Sequence, residues 1–319
     1  MIRYIIRRLL WGVLLLIIVA ALLFIIFRIL PTANPARLRA GRDPQPKLVK
    51  EIEVVLGLNK SLPAQFWDYM KEIFLHFKFG YSYYYQEEVK GLIGERLPAT
   101  LSLTLGAAAL WIVGGMSVGM ISALRRHSFL DRAAMGSALV LISAPEFWLG
   151  LLGLFLFAND IGKLKILPGA GTYVGLTSDP WKWFTSLIMP WAVLASGSAA
   201  VFARLMRSSL SEAMKEDYIR TARAKGLRER SVVRHGVRAA INPIVTLFGL
   251  EVGVLLGGAV LVEYVFNIPG IGVLNYKAIQ SADFPVTEGT VLLASMFIIV
   301  ANIVVDVAYA YLDPRVRYS

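Results

Sequence analysis

Six apolar runs, each near the length a helix needs to cross a bilayer, constrain this chain more than any other feature. The first, Leu9 to Leu30, is 22 residues long, against the roughly 20 that span ~30 Å of hydrocarbon. The others run from about Leu97 to Leu124, Ala133 to Ala158, Leu187 to about Arg204, Ile241 to Glu263, and about Gly289 to Leu312. In hydrocarbon the backbone must bond within the protein, so each run reads as helix. The 56% apolar composition and mean hydropathy of +0.60 agree. The expected fold is an all-α integral membrane protein with six transmembrane helices. Residues 1–30 form an N-terminal helix, 31–96 a polar insert, and 97–319 a five-helix core interrupted by a polar segment at 204–240. The first run has the polarity of a signal peptide. Arg28, Pro31 and Pro35 follow it where a small-residue cleavage site would stand, so it reads as a retained helix.

An even number of spans places both termini on one side, and basic residues decide which. Three Lys and Arg precede the first span, three lie at 125–132, ten at 204–240 and two in the C-terminal tail, while the short loops of the opposite face carry four. That asymmetry makes the chain a multi-pass protein of the cell membrane with both termini and the 204–240 segment cytoplasmic. The 31–96 insert is then extracytoplasmic. Its stretch Pro63–Phe79 has apolar positions at Phe66, Tyr69, Met70 and Phe74 that suit a helix, but the insert is too small for a core of its own. A formal charge of +11 would suit nucleic acid, yet the bases cluster beside apolar spans, so no nucleic-acid partner is expected. The chain has no cysteine, and its three histidines fall in polar segments, so no metal site is expected. It contains no GxxxxGK[ST] phosphate loop and is not expected to hydrolyse ATP itself.

The polar segment Arg204–Ala240 has helical patterning. Leu210, Met214, Tyr218 and Ala222 recur at four-residue spacing, and Glu216 precedes Arg220 at the favourable distance for a pair. Gly226 stops that helix. Ser231 opens a second one, with Arg230, Arg234 and Arg238 opposite Val233, Val237 and Ala240. Two amphipathic helices on a glycine elbow make a lever, or alternatively a basic loop resting on anionic membrane lipid.

Within the spans, Gly249, Gly253 and Gly257 share one stripe, as do Gly115 and Gly119. Such stripes serve close helix packing or line a pathway for a polar solute. Glu146, Glu251, Asn302 and Asp306 lie in apolar runs and are expected to face the bundle, a cavity or a partner. Pro145 should kink the third span beside Glu146, while Glu263 and Asp306 lie near span ends and read as interfacial. After the fifth span, Asn267-Ile268-Pro269-Gly270 has turn chemistry, and Ile271, Leu274, Ala278 and Ile279 then approximate one helical face. An intramembrane hydrolase would need a nucleophile paired with a base, and no histidine lies in any span. A stand-alone secondary carrier would be expected to show an internal repeat, and none is evident.

The stretch EDYIRTARAKGL, Glu216–Leu227, with Pro243 beyond it, resembles the cytoplasmic signature of binding-protein-dependent ABC importer permeases, above all the dipeptide/oligopeptide/nickel subgroup. The family's Glu-Ala-Ala, three residues, Gly aligns with Arg220, Thr221, Ala222 and Gly226, so its acidic first residue is replaced by arginine. RLPATLSLTLGA from Arg96, SAPEFWLG from Ser143, VEYVFNIPGIG from Val262 and the terminal YLDPRVRYS extend the resemblance. It implies the type I ABC importer permease fold and a translocation pathway for peptides, or alternatively nickel or oligosaccharides. The implied partners are a second homologous permease, two ATP-binding cassette subunits that hold ATP and magnesium, and an extracytoplasmic solute-binding protein. Asp217, Tyr218, Arg220, Thr221, Ala222, Arg223, Ala224, Lys225 and Gly226 are then the contacts that couple to the ATPase. Glu146, Gly249, Glu251, Gly253, Gly257 and Asn302 are the pathway candidates, and Pro269, Gly270 and Leu274 an outer gate.

Overall fold

The computed structural model describes residues 2–29, 35–40, 45–55 and 57–312. Pro31, Arg315 and Arg317 lie outside the described residues. Every extended element described is a helix: α1 (Ile2–Phe24, continued by a π-helical turn at Ile25–Ile29), α2 (Pro35–Ala40), α3 (Pro46–Val55), α4 (Leu62–Phe74), α5 (Val89–Leu124), α6 (Phe129–Ser143), α7 (Glu146–Phe157), α8 (Pro180–Ala213), α9 (Asp217–Ala224), α10 (Glu229–Ala240), α11 (Asn242–Leu256), α12 (Val260–Val265), α13 (Ile271–Gln280) and α14 (Phe284–Leu312).

Among the described residues, four segments are long and apolar enough to cross a membrane unbroken: Ile6–Ile29, Val89–Leu124, Pro180–Ala213 and Phe284–Val307. Two bent pairs, α6 with α7 and α10 with α11, are apolar enough to raise the number to six if each counts as one span. The predicted third span divides into α6 and α7 at an angle of 105°. Pro145 offers no N–H and keeps Ala144 extended, with ψ 128°, so the chain turns sharply there instead of merely kinking. The predicted fifth span also breaks. α11 meets α10 at 50° and stops at Leu256; Gly258, with φ +125°, then redirects the chain into α12.

α8 has 34 residues and so measures about 51 Å, which carries it well past ~30 Å of hydrocarbon. Asp179 starts it by accepting hydrogen bonds from the N–H groups of Trp181 (3.1 Å) and Lys182 (3.0 Å). α5 and α8 run parallel and form the principal seam. Gly106 faces Trp191, whose indole donates to the Ser102 carbonyl at 2.9 Å, and Gly115 and Gly119 face Ala199, Phe202, Ala203 and Met206 further along. A Cβ on Gly115 would stand 2.7 Å from the Ala199 carbonyl oxygen, so only glycine lets the backbones approach this closely.

A second seam joins α11 to α14, antiparallel. Gly249 faces Val305, Gly253 faces Ala301 and Gly257 faces Ala294. These contacts place one end of α14 beside Asp306, which pairs with Arg8 of α1, at the end of the bundle that also holds α9 and α10. At the opposite end, α4 lays Tyr69 and Ile73 against Ala20, Leu23 and Phe24 of α1 and Leu292 of α14. The polar insert thus borrows its core from the bundle.

Gly253→Leu tests the second seam, because a Cβ there would stand 2.8 Å from that of Ala301, whereas the space around Gly114 is open. Overpacking of this kind costs about 1–3 kcal/mol. The purified chain should therefore show a lower thermal unfolding midpoint for Gly253→Leu than for Gly114→Leu; equal midpoints would contradict the seam.

Candidate functional site: a glycine elbow, a carboxylate pair and a buried latch

α8 ends at Ala213, and a turn at Met214–Glu216 separates it from α9, so Leu210, Met214, Tyr218 and Ala222 do not form the single continuous face expected of them. Ile219 and Ala222 turn inward with Val232 of α10 and pack on Met214, while Tyr218 points out and is 45% exposed. Desolvation, helped by nearby Glu216, raises the Tyr218 hydroxyl above its usual pKa, so it stays neutral. Arg220 pairs with Asp217 at 3.4 Å rather than with Glu216, because Glu216 precedes the helix as its N-cap.

Gly226 closes α9 as the sequence predicts. Its φ is +75°, its N–H bonds the Arg223 carbonyl (2.9 Å), and the Leu227 N–H bonds the Ala222 carbonyl (3.3 Å), the paired pattern of a glycine helix stop. Arg223 reaches across the elbow to Glu229 at 2.8 Å. α10 opens at Glu229, two residues before the predicted Ser231, with Val232, Gly236 and Ala240 as its buried stripe. Gly236 lies against Met214 and Leu210, which seats α10 on the end of α8. Thr221, Arg223, Ala224 and Lys225 remain exposed beside Tyr218, so the elbow offers one aromatic side chain amid a basic surface.

Inside the bundle, Glu146 at the start of α7 and Glu251 of α11 come within electrostatic range of each other, and Ser198 of α8 lies close to Glu251. Three elements separated in sequence thus converge on one acidic spot. The glycines do not join it: Gly249, Gly253 and Gly257 lie in the α11–α14 seam, so packing is what this stripe does here. Asn302 is half-buried on α14, and among the described residues no hydrogen bond links it to the carboxylate pair.

Glu263 is not interfacial but fully buried. It accepts from the Thr100 hydroxyl (2.7 Å), the Val273 N–H (2.9 Å) and the N–H groups of Gly272 and Ala259, while Thr100 in turn accepts from the Ile271 N–H (2.8 Å). A carboxylate from α12 therefore caps α13 and fastens it to α5. Gly270 and Gly272 lie directly against it, where any side chain would collide.

The reversal before α13 is made by Asn267, with φ +49°, whose N–H and that of Ile268 close α12 on Tyr264 and Glu263. Gly270 is extended there, not turned, and Pro269 follows the helix stop. Leu274 is 1% exposed, held with Ile271 and Ala278 against Val89, Leu92 and Ile93, whereas Ile279 faces outward. The predicted gate residue is therefore shut inside the structure.

Two further carboxylates fasten loops and were not singled out from sequence. Asp131, on α6, accepts from Ser122, from the His127 N–H (2.9 Å) and from both arms of Arg207 on α8 (2.6 and 2.8 Å). Asp283 accepts from Ser82 and from the N–H groups of Tyr83 (3.1 Å) and Tyr84 (3.2 Å), which staples the aromatic run to the start of α14. The sequence held a signal for Glu263 alone: an acid in an apolar run, followed closely by Pro-Gly-Ile-Gly.

Residues 115–318 match the family described as the binding-protein-dependent transport system inner membrane component, and residues 1–104 match that system's N-terminal membrane component. A protein of Brucella abortus (strain 2308), named as a peptide transport system permease, is 39% identical over 316 residues, 99% of each chain. Glutathione transport system permease proteins of Pectobacterium atrosepticum and Salmonella typhi are each 40% identical over 320 residues, the whole of both chains.

Gly226→Val forces a β-branched residue to positive φ, which costs about 1–3 kcal/mol. No neighbour lies within 4 Å of a Cβ at this position, so the strain is confined to the backbone. Amide exchange should accelerate at residues 226 and 227 and stay unchanged along α8, as hydrogen-exchange mass spectrometry can read. Unaltered exchange at the elbow would remove the argument from φ.

Proposed function

The chain belongs to the binding-protein-dependent transport system inner membrane component family, and from that premise we propose that it forms, with a second homologous permease, the translocation pathway of an ATP-driven peptide importer. The relatives are named for peptides and for glutathione, itself a peptide, which favours that solute class. Two ATP-binding cassette subunits hold ATP and magnesium and bind the elbow from the cytoplasm. An extracytoplasmic binding protein delivers the solute to the opposite face. Both termini are cytoplasmic, in keeping with the excess of Lys and Arg at that end.

The observation that carries the reading is the elbow. α9 and α10 are seated on α8 through Ile219, Ala222, Val232 and Gly236, yet Tyr218 and Leu227 stand exposed at the tip. An aromatic and an aliphatic side chain held rigidly in the open, beyond the end of a span, suit a groove on a soluble partner. A displacement of that partner would pass through the elbow into α8 and along the α5–α8 seam. Glu146 and Glu251 then serve as the acidic station of the pathway, matched to the ammonium of a peptide. Asp217, Arg220 and Thr221, with Arg223, Ala224 and Lys225, complete the ATPase-facing surface.

Tyr218→Ala should leave the permease folded and weaken its hold on the ATPase subunits by about 2 kcal/mol, roughly 30-fold in affinity. Co-purification and ATP-driven peptide uptake in proteoliposomes measure both, and undiminished association together with normal uptake would refute the docking role.

Leu274→Cys supplies a second test, unambiguous in a chain without native cysteine. Buried as it is, this thiol should resist a membrane-impermeant reagent in the resting complex and react when nucleotide and loaded binding protein are added. Labelling at one rate in every state would discard a moving gate.

A further inference from the structure

At the end of the bundle opposite the elbow, α4, the Tyr81–Tyr83 turn and the first turns of α14 enclose a cavity of about 610 Å³. Its volume falls in the ~300–1,000 Å³ range of small-ligand sites. Three side chains define its inner wall. Glu288 of α14 is 5% exposed, and Arg28, from the π-helical turn after α1, stands within electrostatic range of it. Tyr69 of α4 is 8% exposed, with the Arg28 guanidinium 5.5 Å from its ring centre. The Tyr69 hydroxyl is buried and has no hydrogen-bond partner in the protein. A buried hydroxyl left unpaired is unfavourable, and in native structures such a group commonly waits for a water or a ligand.

Elsewhere on the lining Lys60 pairs with Asp68 at 2.7 Å and Lys78 approaches Glu72 at 4.0 Å. The inner wall brings a carboxyl group, a guanidinium and an unpartnered hydroxyl together. We propose that this cavity is a binding site for a short zwitterionic peptide, separate from the Glu146–Glu251 station. The ammonium of the ligand meets Glu288, and its carboxylate meets Arg28 and the hydroxyl of Tyr69. Charges of both signs on the lining suit a small soluble zwitterion. The site would hold peptide on the binding-protein face, outside the central pathway, and its existence does not depend on ATP-driven transport.

The test is equilibrium binding of tritiated trialanine to the complete permease complex in phosphatidylcholine nanodiscs, without binding protein or nucleotide. Saturable binding is expected, weakened at least about tenfold by Tyr69→Phe and by Glu288→Gln. N-acetyl-trialanine amide, which lacks both charges, should not compete. Tyr69→Phe removes only an unpartnered hydroxyl, so its thermal unfolding midpoint should match that of the parent, and weaker binding then cannot be ascribed to misfolding. Four results would overturn the proposal: no saturable binding at millimolar peptide, equal affinity in the Tyr69→Phe variant, equal competition by the capped peptide, or saturable binding of labelled glycerophosphoethanolamine that trialanine does not displace. The last would assign the cavity to a lipid headgroup.

Discussion

Within a bilayer, apolar surface gains nothing by leaving lipid for protein, so helices stay together only where they fit closely or share hydrogen bonds. Both seams of this bundle answer that condition with glycine. On α5 the glycines admit the backbone of α8, and on α11 they admit the side chains and backbone of α14. The position of every other element follows. α10 sits where the end of α8 puts it, and α4 finds a surface because α1 and α14 are held side by side.

Close fit leaves little tolerance for loose polar groups, and three carboxylates show how the chain manages them. Asp131, Glu263 and Asp283 are all buried, and each accepts hydrogen bonds from several donors, at least one of them distant in sequence. Removing one partner of a buried charged group is far more damaging than its net contribution suggests, since the other is left unpaired. These contacts therefore act as registration points: α6 on α8, α13 on α5, and the aromatic turn on α14. Glu251 differs in keeping one oxygen buried and without a partner.

Much of this was legible in the residues. The spans, the glycine stripes and the elbow at Gly226 all rest on local rules, namely apolar length, four-residue spacing and the left-handed helix stop. Where local rules compete with tertiary contacts, the sequence misleads. Ile241–Glu263 reads as one span because nearly all of it is apolar, but Gly258 breaks it so that Glu263 can reach Thr100 and α13. Tyr218 fits the spacing of Leu210 and Met214, yet the turn after Ala213 rotates the face and sends Ile219 inward instead. Asp131 and Asp283 look like ordinary loop and cap acids, since their partners Arg207 and Ser82 are 76 and 201 residues away.

The enclosure of Glu263 also bears on how this chain can vary. Its carboxylate is held by a hydroxyl from α5 and by backbone donors that reach it only because residues 270 and 272 have no side chains. Replacing the acid alone strands those donors, and restoring either Cβ alone drives atoms into the acid. Each of these positions is thus acceptable only in the company of the others, so a descendant with a different device here would have to change several of them in concert. Drift through single substitutions would leave this corner of the fold untouched while the exposed surface around Tyr218 stayed free to vary.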